Sequence, residues 1–179
     1  MELPETVDAG DVVLKRWEPA WIDTATVGVR ESLPELMPFL PWATPGYDVE
    51  ASRMFIESSV ASWGRGTAFN YAIFETGGDL VGAIGLMTRA APGTLEIGYW
   101  MRTSYAGRGH MTAAVVALAR VALALPGVQR VTIRHDVTNA ASAAVAAKAG
   151  FIEVARVAKE PQAPGETGTE VHRERRAAG

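Results

Sequence analysis

Apolar positions along the chain repeat with two different periods, and the places where the period changes divide it into elements. Leu95, Ile97, Tyr99 and Met101 alternate at every second position, which predicts a strand. Residues 111–125 form a nearly unbroken apolar stretch with one charge, Arg120, and predict a buried helix. Between them lies RTSYAGRGH, where Gly107 and Gly109 let the backbone turn tightly and present successive N–H groups outward. Strand, glycine turn and helix N-terminus in that order make an anion cradle, because the first helix N–H groups have no partner inside the helix. A second GRG, at residues 64–66, follows a helical stretch and precedes a strand, so it reads as a helix stop and turn.

The same reading divides the rest of the chain. Residues 12–17 (VVLKRW) predict an opening strand, and 18–40 one or two short helices interrupted by Pro34 and ended by Pro38 and Pro41. Asp48 is placed to cap a helix running to about Trp63, with Met54, Phe55, Ile56 and Val60 as its apolar face. Strands at 68–74 and 80–87 flank the turn ETGGD and form a hairpin. A turn at 90–93 leads into the Leu95 strand, so three consecutive antiparallel strands precede the glycine loop. Pro126 and Gly127 end the long helix, and residues 131–135 make a short strand that the crossover places parallel to the Leu95 strand. An alanine-rich helix at 139–149 closes on Gly150; a strand at 151–157, a turn at 161–168 and a last strand at 169–175 complete the chain.

Composition narrows the classes open to such a chain. Its 179 residues suit one domain, 1–179, with a full core. The net charge is -3 and the basic residues are scattered, apart from Arg173, Arg175 and Arg176, so no nucleic-acid footprint is expected. MELPETVDAGD lacks the basic start and apolar core of an export signal, and no apolar run approaches the roughly 20 residues of a membrane span. A cytoplasmic protein is the expectation. The absence of cysteine excludes a thiol nucleophile, a disulfide framework and a Cys-based zinc site. His110, His135 and His172 have no partners at ligand spacing, so no metal site is expected either.

A second constellation, HDVTNAASAAVAAKAGF at residues 135–151, joins the first. Asn139 is a helix N-cap with Ser142 three residues on, and Asp136 can favour the helix dipole. Together with EIGYWM and GRGHMT, and with VVLKRW, LPWA at 40–43 and LVGAIGL at 80–86, this ordered set resembles the GNAT superfamily of acyl-CoA N-acyltransferases, most closely its RimJ/RimL-type ribosomal-protein N-terminal acetyltransferase branch. Two positions depart from the family's glycine signature: Ala106 stands where Gln or Arg usually opens it, and Met111 where Gly or Ala is frequent. Both changes are in side chains, whereas the cradle is backbone.

The resemblance implies an α+β, three-layer fold: a mixed, mostly antiparallel twisted sheet of about seven strands, a central parallel pair, and helices on both faces. It implies acetyl-CoA as acyl donor, an amine acceptor, no metal, and a monomer or homodimer. Tyr99, Trp100 and Met101 then border the pantetheine arm. The N–H groups of Gly107, Arg108, Gly109, His110 and Met111 hold the pyrophosphate beside Ala106, with charge from Arg102 or Arg108 and a hydroxyl from Thr112. Arg108 as a solvated loop charge and Thr112 as a first-turn residue are the plain alternatives. His110 faces the loop, where it either touches phosphate or stands as a surface histidine. Asn139 caps its helix and reaches the pantetheine or a water.

Amide formation from a thioester needs a neutral amine, a donor to the developing oxyanion and a proton for the departing thiolate. Glu96 is the candidate base, since the family places a glutamate on this strand. The alternative is a surface charge on a half-exposed strand. Ser142 is the candidate acid in the family's N-x-x-S motif, or else a serine bonded to its own first turn. Trp42 and Tyr47 border the acceptor groove or anchor a proline-rich loop. Direct transfer is favoured, because no serine stands in a GxSxG elbow. A dinucleotide-binding oxidoreductase fits poorly, with Thr112 where GxGxxG needs glycine, and no GxxxxGK[ST] is present for a P-loop nucleotidase. A protein N-terminus, a polyamine or an antibiotic remain open as acceptors. So does a catalytically silent acyl-CoA-binding module.

Overall fold

The alternating segments pair into one eight-stranded sheet, which the computed structural model describes together with its helices over residues 1–177. In chain order the elements are β1 (Thr6–Asp8), β2 (Val12–Arg16), α1 (Ile22–Glu31), α2 (Leu33–Leu36), α3 (Val49–Arg65), β3 (Ala68–Glu75), β4 (Leu80–Met87), β5 (Thr94–Met101), α4 (His110–Leu123), β6 (Arg130–Asp136), α5 (Ala140–Lys148), β7 (Ile152–Ala158) and β8 (Thr169–Arg176). The strand order is β1-β2-β3-β4-β5-β6-β8-β7. Every pair is antiparallel except β5 and β6, as the crossover through α4 requires. The strand beyond the expected seven is β1, only three residues long, with Val7 buried between two exposed neighbours. So short an alternation gives no periodic signal.

Two apolar layers clamp the sheet. On one face, α4 packs Val115 and Leu118 against Leu14, Tyr71, Leu86 and Ile97; on the other, α1, α2 and α3 cover Trp17, Ala72, Ala83 and Trp100. β4 lies at the centre with all but its last residue buried, which explains its continuous apolar run. Arg120, the single charge of α4, points to solvent. α5 buries only Ala146.

The capping expectations hold at both ends of α3. Asp48 Oδ1 accepts from the Ala51 N–H at 2.9 Å, and Gly66 closes the helix at φ 68°. Its apolar face, however, is only partly the expected one: Ile56 is fully buried, whereas Met54 is not. Met54 and Phe55 are 65% and 38% exposed, and the helix buries Ser52, Ile56 and Ser59. Those positions keep helical spacing, and the serines are accommodated by hydrogen bonds: Thr26 donates to Ser52, Ser52 to Tyr47, and Asn70 to Ser59. An apolar count alone therefore finds Ile56 but misses the two serines that share its face.

The functionally decisive feature is where β5 and β6 stop pairing. Their register runs only from Thr94↔Arg130 to Ile97↔Ile133. β5 then follows β4 to Met101 while β6 follows β8 to Asp136, so the parallel pair parts in the middle of the sheet. Asp136 secures the far prong. Its Oδ1 accepts from the Thr138 N–H and hydroxyl at 2.9 and 2.6 Å, and its Oδ2 from the Thr167 N–H at 2.8 Å. It thus ties the entry to α5 to the loop before β8 rather than meeting the α5 dipole directly.

Burial works against the charged form of Asp136, yet the hydrogen bonds from Thr138 and Thr167 outweigh it and lower the pKa from 3.8 to about 2. A carboxyl lowered in the folded state stabilises it fully above the unfolded pKa and loses that contribution as pH falls toward the folded value. Asp136→Ala is expected to cost on the order of 1–2 kcal/mol at pH 7. In urea unfolding the gap from wild type should narrow steadily between about pH 4 and pH 2.

Candidate active site

A cleft of about 1080 Å³ opens where β5 and β6 part. One end is backbone. Gly107 and Gly109 have φ of 77° and 83°, a left-handed conformation that other residues rarely adopt, and this folds the turn back onto the start of α4. The first helical bond runs from the Ala113 N–H to the Gly109 carbonyl. Among the described residues, the N–H groups of residues 107–112 have no main-chain partner, the arrangement that suits an anion. Ala106, Gly107, Gly109 and Thr112 line this end. Met111 is only 6% exposed and packs into the α4 core, so its departure from the family signature sits mainly beneath the cradle.

The charged residues expected here are engaged elsewhere. Arg102 donates through Nε and Nη2 to both Glu31 oxygens, at 2.7 and 2.9 Å, and through Nη1 to the Leu80 carbonyl. Its side chain crosses Gly28, where a Cβ would collide with it, and beside it the Glu31 carboxyl is held below its usual range. Arg102 therefore ties α1 to the end of β5 and does not reach the cleft. Arg108 also turns away: its Nη2 donates to the Ser104 carbonyl at 3.0 Å and its guanidinium lies over the Tyr105 ring. His110 is no surface histidine. It opens α4 with its side chain 11% exposed and its Nε2 3.6 Å from Glu75, beyond hydrogen-bond reach.

At the fork the two expected motifs meet. The Asn139 side chain accepts from the Ser142 N–H at 3.1 Å, capping α5. The Tyr99 hydroxyl is 2.8 Å from Ser142 Oγ and also donates to the Ser142 carbonyl at 3.3 Å. Burial pushes the Tyr99 pKa up to about 12, the Ser142 hydrogen bond acting the other way, so the phenol keeps its proton at neutral pH. Its single proton can go either to the Ser142 carbonyl or to Ser142 Oγ, and in the second arrangement the serine's own proton is free.

The other end is built from side chains on the α1–α3 face. Glu96 is 5% exposed, not a solvated surface charge; Arg89 donates to its Oε1 at 2.6 Å, and Arg134 lies 3.6 Å from Oε2. Trp42 stands against Tyr47 and Trp100, ring centroids 5.8 and 6.3 Å apart. Burial raises the Tyr47 pKa, opposed by the hydrogen bond from Ser52. Arg89, Arg134 and Asn70 also line the cleft, and sequence reasoning missed all three. Asn70 carried a readable signal, a polar residue inside the apolar strand AFNYAIFE. The arginines carried none, because the burial of their shared partner, Glu96, is set by the assembled sheet. Among the described residues, no cluster of three or more His, Asp or Glu side chains could hold a metal, and no helix is long and apolar enough to cross a membrane.

The acetyltransferase (GNAT) domain family model matches residues 11–152. No curated protein sequence matches the chain. Among solved structures, the microcin C7 self-immunity acetyltransferase MccE, in complex with acetyl-CoA and AMP, has a TM-score of 0.89 at 19% identity, with 97% of each chain covered. The Salmonella typhimurium acetyltransferase that modifies the N-terminal serine of ribosomal protein L7/L12 gives 0.86 at 21% identity, covering 97% of this chain and 100% of that one. Mycobacterium smegmatis RimJ, in complex with CoA-disulfide, gives 0.82 at 23% identity, covering 98% and 87%. At such identities the likeness is one of fold.

The geometry also predicts how the frame is held. Glu31→Ala removes both oxygens that engage Arg102 and the one that accepts from the Ser104 hydroxyl. A loss of about 1–2 kcal/mol in chemical denaturation is expected for this partly exposed bidentate pair.

Proposed function

The chain belongs to the GNAT acetyltransferase family, and we propose that it moves an acetyl group from acetyl-CoA directly to a primary amine, a protein N-terminal α-amine as in the RimJ/RimL-type branch. The observation that carries this reading is the union, in one cleft, of an open N–H cradle, a parted strand pair with a serine hydroxyl at the fork, and a buried carboxylate beyond it. The cradle suits a pyrophosphate because the N–H groups of residues 107–112 have no main-chain partner and the space beside Gly107 and Gly109 is open. Acetyl-CoA, when bound, supplies an acyl group already activated as a thioester.

The chain's own groups divide the remaining work. N–H groups of residues 107–112 neutralise the anion, and Asn139 holds the first turn of α5 in place. Backbone on β5 beyond Ile97, without a ladder partner on the β6 side, is available to hydrogen-bond an extended ligand. Glu96 Oε2, which Arg134 approaches only to 3.6 Å, takes the ammonium proton, while Oε1 is hydrogen-bonded by Arg89. Ser142 Oγ gives its proton to the leaving sulfur and regains one from the nitrogen, which sheds it as the amide forms, while Tyr99 holds that hydroxyl in position. An amine first freed of its proton then attacks without a covalent enzyme intermediate.

A second reading, a small-molecule amine bearing a planar ring, is favoured by the wall of Trp42, Tyr47 and Trp100. The complex of the microcin C7 enzyme with AMP is a parallel for it. The experiment that separates the readings is thiol release from acetyl-CoA with free-N-terminus peptides, spermidine, an aminoglycoside and a planar-ring amine such as tryptamine as acceptors. Fastest turnover on peptides is expected. Acetyl-CoA binding without turnover on any of them would make the protein a silent acyl-CoA-binding module.

Two substitutions test the assigned roles. Glu96→Gln and Ser142→Ala should each lower kcat by about 100-fold or more while leaving acetyl-CoA affinity within about twofold. A wild-type rate across the pH range in either variant removes that residue from the chemistry.

A further inference from the structure

We propose that Asn70 anchors the acceptor: its carboxamide oxygen takes a hydrogen bond from a second donor that the acceptor carries beside its reacting amine. The inference rests on the reading of the cleft as an amine-acceptor site. It begins with three residues in one cross-strand row. Asn70 on β3 faces Gly85 on β4, which faces Gly98 on β5. The flanking rows are filled, by Ala72, Ala83 and Trp100 on one side and by Ala68, Met87 and Glu96 on the other. Two glycines between filled rows leave a trough across the sheet, into which the Asn70 carboxamide leans over Gly85 and the Met87 methyl over Gly98.

The trough has a defined closed end and a defined open end. At the open end Gly98 is the first β5 residue beyond the last β5–β6 pair, Ile97↔Ile133, so the trough runs into the fork beside Tyr99. At the closed end the Asn70 carboxamide leans over Gly85; a Cβ on that glycine would collide with Asn70 Oδ1. Its other half is fixed, because Nδ2 donates to Ser59 Oγ on α3 at 3.0 Å. That bond turns Oδ1 toward the glycines. Among the described residues no hydrogen bond reaches Oδ1, and Asn70, Gly85 and Gly98 all line the cleft. A half-buried acceptor held in one orientation and left without a donor is a polar group arranged for a ligand.

The chemistry of that ligand follows from the row. An amine at the fork, with the rest of the acceptor running along the glycines, brings a neighbouring hydroxyl, peptide N–H or second ammonium to Oδ1. Plain alkyl amines have nothing to offer there. The acceptor class is therefore amines with a second hydrogen-bond donor close to the first.

The test uses hexapeptides with free N-termini, one beginning with Ser and one with Ala, on wild type, Asn70→Leu and Asn70→Asp. Leucine keeps the size and removes the acceptor, whereas aspartate keeps an oxygen that can still meet Ser59. Asn70→Leu should raise the peptide KM about tenfold or more, with acetyl-CoA affinity by calorimetry within about twofold; Asn70→Asp should stay within a few-fold of wild type. If Asn70→Leu fails to fold, Ser59→Ala gives the second readout, a higher peptide KM through a loosened amide at unchanged acetyl-CoA affinity. A wild-type peptide KM in Asn70→Leu, or in Ser59→Ala where it stands in, overturns the assignment. So do equal losses in the leucine and aspartate variants. Acetyl-CoA binding by wild type with no turnover of either peptide overturns the peptide-transferase reading, and this assignment with it.

Discussion

The structure depends on one unmade set of hydrogen bonds. β5 and β6 pair over four residues and then part, although each continues in register with its outer neighbour. In a buried sheet such a gap is costly, because main-chain groups that leave a ladder need other partners. Here the fork is held open from both sides: β4 and α1 secure the β5 prong, the latter through Arg102 and Glu31, while β8 and the Asp136 hydrogen bonds secure the β6 prong. The Tyr99–Ser142 contact spans the opening. What the sheet loses in pairing becomes a ready-made edge for a strand-like ligand.

The two halves of the cleft are made of different materials. The donor half is backbone, its shape set by two left-handed glycines and a helix start, and side chains there are largely incidental: Arg102, Arg108 and Met111 all turn elsewhere. The half proposed for the acceptor is side chains gathered from three strands and the loop before α3. Asn70 comes from β3, held from behind by Ser59 of α3, Glu96 and Trp100 from β5, Arg134 from β6, and Trp42 from the loop. A cradle of that kind tolerates substitution around it, while an acceptor wall of this kind is free to vary between relatives that share the fold. The fold likeness to a microcin-immunity enzyme and to ribosomal-protein acetyltransferases accords with that division.

The same division explains what could be read from the residues. Gly107, Gly109, Asn139 and Gly66 were legible because each has a local conformational reason to be there. The parallel pair followed from chain order alone, through the crossover rule. Arg102 was misplaced because a charge beside a glycine loop looks like an anion ligand until its partner on α1 is known. The outward-facing Met54 and Phe55 misled for a related reason: two of the three buried residues of α3 are serines, and serine is core only when partners such as Thr26, Tyr47 and Asn70 come to meet it. Glu96 could be placed on its strand, but its burial between Arg89 and Arg134 is a property of the assembled sheet.

The central claim is that the open backbone of the loop and the unpaired half of β5 together receive the acyl donor. Amide hydrogen exchange with and without acetyl-CoA tests it most directly, because it reports on the main-chain N–H groups themselves. The account predicts slowed exchange at residues 107–112 and along Gly98 to Met101, with little change in the hairpin of β3 and β4. Unchanged exchange in the loop under saturating acetyl-CoA, or protection confined to another part of the sheet, would contradict it.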